Sequence, residues 1–179
     1  MKNETVNDVN ERLSLPPYTY VPGRTPHPLS DPRGHMAGAQ DSSKLAADDA
    51  SSQAETHYEQ GRQLFDAGYY WEAHEAWEHH WISLGRRGPA ADTIKGLIKL
   101  AAAGVKVLEG SPTGAERHAT RARTLLSDPT TATPTQADDT SAALRIATQF
   151  LQQPFVLPES DPWHPAALPG WRLRGAAQA

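Results

Sequence analysis

Apolar positions recur along this chain in blocks that keep a helical period and are separated by glycine and proline. Tyr58, Gly61, Leu64 and Phe65 mark one face of a first helix, capped by Ser51 or Ser52 and ending near Ala67, where Gly68 supplies the left-handed stop. A second helix runs from about Tyr69 to Leu84, before Gly85, Gly88 and Pro89. The third, about Ala91 to Glu109, carries Ile94, Leu97, Ile98, Ala101, Ala102, Val105 and Leu108 on a wide apolar face. Its Gly96, Ala103 and Gly104 let a neighbouring helix approach closely. Gly110 closes it, and Ser111 and Pro112 open a fourth helix to about Leu126 through Ala115, Ala119, Ala122 and Leu125. After a polar stretch over 127–136, Leu144, Ile146, Ala147, Phe150 and Leu151 mark a fifth helix, about Ala137 to Gln152. The pattern predicts an all-α fold: a compact bundle of about five helices, built as two stacked helical hairpins plus a closing helix. The glycine breaks at Gly68 and Gly110 faintly echo tetratricopeptide hairpins, although they are spaced more widely than that repeat's roughly 34 residues.

Both flanks lack the period. Leu13 to His35 holds Pro16, Pro17, Pro22, Pro26, Pro28 and Pro32, which rule out a helix and favour extended segments broken by turns. Tyr18, Tyr20 and Val21 are apolar anchors within it, so the segment reads as an arm laid across the helical part, presenting His27, Arg33 and His35. The expected organisation is an extended arm over 1–36 with a polar, frayed start, a flexible linker over 37–52, a helical domain over 53–152 and an extended tail over 153–179. Phe155, Val156, Trp163 and Trp171 pin that tail.

The second helix carries the densest chemistry. Phe65 to Trp81 holds three of the five Trp and three of the eight His. At roughly 100° per residue, Tyr70, Ala73, Trp77, Trp81 and Leu84 form one stripe. His74 falls inside that stripe and Glu78 at its edge. Glu72 and His79 point the other way, with Glu75 towards them. The stripe therefore takes an imidazole and a carboxylate inward, where packing does not need them and burial is costly unless they are paired.

Composition narrows the partners. A formal charge of -4 with no strong basic stripe argues against nucleic acid. The chain has no cysteine, which excludes disulfides and thiolate metal sites. No apolar run approaches the roughly 20 residues of a membrane span, and the first residues lack the apolar core of a signal peptide. The expectation is a soluble cytoplasmic protein.

The run F-D-A-G-Y-Y-W-E-A-H-E-A-W-E-H-H-W, followed by K-G-L-I-K-L-A-A-A and G-S-P-T-G-A, resembles the bacterial and archaeal family called domain of unknown function 309, over about Tyr58 to Leu126. The arm P-P-Y-T-Y-V-P-G-R-T-P-H-P, with D-P-R-G-H after it, looks like an extension carried by a subset of that family. The resemblance implies a small all-helical domain and no established activity. Lys95 and Lys99 depart from the family, where glutamine is more typical.

The residues leave three readings open. His74 to Glu78 is one residue from the H-E-x-x-H of zinc peptidases, with Glu78 in place of the second histidine. A divalent metal on His74 and Glu78 would take a third ligand from His27, His35 or His118. Alternatively, His74, Glu75 and Glu78 would supply acid–base catalysis in a pocket walled by Trp77, Trp81 and the arm, with Lys99 or Arg33 holding an anionic substrate. The favoured reading is a binding scaffold for a protein or small ligand, in which His74 is a structural core histidine and Glu78 is tied to Lys95 or Lys99. Helical hairpins with exposed aromatics also allow a homodimer.

Overall fold

The computed structural model describes residues 14–38, 50–128 and 136–174. Its helices are α1 (Ala50–Asp66), α2 (Tyr70–Ser83), α3 (Pro89–Glu109), α4 (Pro112–Leu126) and α5 (Ala137–Gln152), with no strand among the described residues. Each helix packs on its neighbour in sequence, and α5 also reaches α3. The hairpins α1–α2 and α3–α4 therefore stack through α2 and α3, and α5 closes the bundle. The expected fraying of residues 1–12, most of the 37–52 linker, most of the 127–136 stretch and the last five residues lie outside the described residues.

The helix ends follow local chemistry. Gly68 has φ +89°, and a Cβ there would come within 2.4 Å of the Ala166 carbonyl as the tail passes, so both the turn and the crossing chain require glycine. Helix α3 begins at Pro89, two residues ahead of the expected start. Proline's fixed φ suits a first helical turn, where its missing N–H would have no partner anyway. Helix α1 begins at Ala50, so Ser51 and Ser52 lie inside it rather than capping it.

The core gathers on α3. Ile94, Leu97, Leu100 and Val107 are fully buried, each contributing about 1.5–3 kcal/mol of apolar transfer. Close approach is made by small residues: a Cβ on Gly61 would meet the Trp77 indole, and one on Gly104 would meet the Tyr70 ring.

Both flanks are sewn onto this core. In the tail, Trp171 sits among Phe65, Tyr70 and Phe150, with ring centroids 6.2, 5.8 and 5.5 Å away. The Leu168 N–H donates to the Tyr70 hydroxyl (2.7 Å), and the Leu157 N–H donates to the Val107 carbonyl (2.9 Å). Trp163, by contrast, is 49% exposed and touches the arm through Tyr18 rather than the core. In the N-terminal arm, Tyr18, Thr19 and Val21 are buried. The Thr19 N–H donates to the Pro162 carbonyl (2.9 Å), Tyr69 Oη to the Pro16 carbonyl (2.9 Å), and Arg24 to the Leu108 and Ser160 carbonyls. The arm thus lies across α2 and the tail. Among the described residues, no helix is long and apolar enough to cross a membrane.

Candidate functional site

Helix α2 is covered on two sides, and this decides which of its polar residues are buried. Its apolar stripe faces α1 and α3, and the opposite side is covered by the arm. His74 is half-buried rather than in the core, its side chain 28% exposed, with Nδ1 3.2 Å from Glu75 Oε1 and 4.0 Å from Glu78 Oε2. One ligand atom from each of His74, Glu75 and Glu78 lies within 4.8 Å of the other two. One imidazole and two carboxylates form a donor set suited to zinc, manganese or iron. His118, on α4, lies within electrostatic reach. Burial, reinforced by the charges of Lys99, Arg117 and Lys106 and more weakly by His74, holds it down to about 4.

The other candidates scatter. Trp77 is core, not pocket wall: it is fully buried and its indole N–H donates to the Tyr58 carbonyl (3.1 Å). Trp81 is half-buried beneath Lys95, whose Nζ lies 5.3 Å from the ring centroid. Glu78 makes no ion pair with Lys95 or Lys99 among the described residues; its partner is His74, so the expected tie across the helix pair is not formed. His27 Nδ1 accepts the backbone N–H groups of Leu29 and Ser30 (both 3.2 Å), which folds its own turn against Tyr20 and Trp71. Arg33 is exposed and paired with Asp31 at 2.9 Å, beside a groove formed with Arg24 and Trp163 rather than beside His74. His27 and His35 do not join the His74 cluster.

The buried carboxylate of α2 is Glu72, only 5% exposed, although the helical period assigns it to the outside. The arm supplies its partners: Thr19 Oγ1 donates to Oε2 (2.7 Å) and the Tyr20 N–H donates to Oε1 (2.9 Å). His35 Nε2 stands 3.5 Å from the same Oε1, and the ring sits edge-on to Tyr18. Burial pushes the Glu72 carboxyl up to about 7, against the lowering effect of its hydrogen bonds, while burial alone lowers His35. One buried acid and one buried imidazole thus meet where the arm crosses the helix.

Beside that meeting point, the arm, α1 and α2 enclose a cleft of about 290 Å³. It is lined by His35, His57, His79, Glu72 and Glu75 over a floor of Leu64, Trp71 and Ala76. The His57 and His79 rings lie 5.4 Å apart, and burial, then the neighbouring His79, lowers His57. His79 is oriented by its Nδ1, which donates to the Glu75 carbonyl at 2.8 Å. Glu75 belongs to both constellations, paired with His74 on one side and lining the cleft on the other. Such an arrangement can bind a small polar molecule and hold or release a proton next to it.

Sequence reasoning passed over Glu72, His57, His79 and the Thr19 hydroxyl. One signal was available. Tyr69, Tyr70, Trp71 and Glu72 are consecutive, and four large side chains in one helical turn cannot all share a face. With the arm's Y-T-Y-V anchors, that run points to a helix covered twice.

No curated protein and no solved structure matches the chain. Residues 58–118, from Tyr58 on α1 to His118 on α4, match the model of the family described as domain of unknown function (DUF309).

Proposed function

We propose that this chain is a helical binding scaffold whose N-terminal arm closes a small-molecule cleft on the α1–α2 hairpin. The observation that carries this reading is the Thr19–Glu72–Tyr20 contact. It places a segment far away in sequence over α2 and leaves a histidine- and glutamate-lined cavity beneath the arm. Small-molecule sites combine an apolar wall with a few convergent polar groups, and this cleft has both. The His–Glu network of the scaffold is then Glu72 with His35, rather than His74 with Glu78 alone. A fragment screen by two-dimensional NMR tests the reading. Hits are expected to move the resonances of Gln60 and the Trp71 indole together; hits confined to the opposite face of the bundle, or none, would remove it.

A second reading rests on a separate observation, the mutual proximity of His74, Glu75 and Glu78. Here His74, Glu75 and Glu78 would hold a divalent metal, which would supply Lewis-acid chemistry for a hydrolytic reaction. Its support is the donor set, and its test is elemental analysis of untagged protein purified without chelators. Near one equivalent of zinc, manganese or iron that is lost in His74→Ala would favour it. Metal-free protein would leave the trio as a surface network.

A further inference from the structure

The chemistry of the cleft lining selects the charge of its occupant. Among the described residues that line it there is no lysine or arginine, whereas Glu72 and Glu75 both present carboxyl groups. An anion entering there would meet two acidic groups and no fixed cation. The cleft also contains an unused polar atom. The His35 side chain is 9% exposed, and its Nε2 is buried without a hydrogen-bond partner, at a distance from Glu72 too long for a good bond of its own. A buried nitrogen in that state awaits a partner, and a neutral imidazole offers a lone pair to a donor. The lining also includes apolar Leu64 and Ala76 and the Trp71 indole, and the face of an indole ring attracts cations.

We infer that the arm-closed cleft takes a small organic cation, a primary ammonium carried on a short apolar body, with its N–H donors on Glu72, Glu75 and His35 and its body against Trp71. This inference rests on the binding reading above and adds the chemical class of the ligand.

Three isosteric probes separate the possibilities on full-length protein: n-butylammonium, 1-butanol and butyrate. Each is titrated while the indole N–H cross-peaks of the five tryptophans are followed. Saturable movement of the Trp71 peak is expected with n-butylammonium, with Trp163 unmoved as an internal control. The neutral and anionic probes are expected to bind at least about tenfold more weakly. Glu75→Gln, at a half-buried position, should weaken n-butylammonium by about tenfold. Glu72→Gln should do the same. If 1-butanol or butyrate moves Trp71 as well as n-butylammonium does, the cleft binds but the cationic class is wrong. If n-butylammonium binds equally well to both variants, the carboxylates are not its ligands and the inference is overturned. If none of the three probes moves Trp71, the inference and the binding reading fall together.

Discussion

Glu72 and Glu78 stand on the same helix, and the arm gives them opposite fates. Glu78 is partly exposed beside His74, whereas Glu72 is sealed beneath Thr19 and Tyr20. A carboxyl raised to about 7 in the folded chain keeps a proton that the unfolded chain gives up near its ordinary value. The stabilisation it represents is therefore full below about pH 4.5 and lost as pH rises through about 7, worth roughly 3 kcal/mol at most. His118 acts in the opposite sense, since its lowered value costs stability as pH falls from about 6.5 toward 4. The clean measurement is thus the difference between wild type and Glu72→Gln in urea unfolding from pH 5 to 8. The variant, which can still accept from the Tyr20 N–H, should lose most of the decline over that range. Identical pH profiles would mean that Glu72 is ionised when buried. This is also where the site was least legible in the sequence. The helical period ranks positions on an isolated helix, and Glu72 is outside by that measure. Its burial comes from a segment some fifty residues upstream, and no local period can report that.

At the scale of elements, the sequence was far more informative, because each helix end is a local event. Gly68, Pro89, Gly110 and Pro112 punctuate the chain where the helices stop and start. The wide apolar face read on the third segment is the one that α2, α4 and α5 pack around. Small residues foretold close approach, and the structure shows what they approach. A methyl group on Gly104 would lie 2.6 Å from Cγ of Tyr70, whose ring is fully buried and whose hydroxyl is held by the Leu168 N–H. Gly104→Ala gains up to about 1 kcal/mol of helix propensity. It should still destabilise the fold by about 1–2 kcal/mol net, since overpacking a rigid neighbour costs about 1–3. Chemical denaturation with an unchanged slope and a lowered midpoint is the expected result. A raised midpoint would show that α2 and α3 can move apart without cost.

At the scale of the whole molecule, neither end of the described chain is free, and each is held by a buried acid on a helix. Glu72 holds the arm; Asp139 on α5 holds the tail. Asp139 is fully buried and accepts Tyr58 Oη (2.8 Å), Arg174 Nε (2.9 Å) and Arg174 Nη2 (3.1 Å). Two further tail amides, Leu173 N–H and Arg174 N–H, donate to Asp66 on α1. This clasp joins the first helix, the last helix and the tail, a closure that no single stretch of sequence spells out. Removing one partner of a buried, hydrogen-bonded carboxylate generally costs more than the pair contributes, because the charge is left behind. Arg174 is itself half-exposed, so Arg174→Ala should cost about 2 kcal/mol rather than the larger cost of a fully enclosed pair. Asp139→Asn removes the stranded charge while keeping the acceptor for Tyr58. The double variant should therefore be less destabilised than the sum of the two single variants, by about 1 kcal/mol in unfolding free energy. Strict additivity would mean that Arg174 and Asp139 are not coupled, and that the tail is held by Trp171 and by its amides on Asp66 and Tyr70 instead.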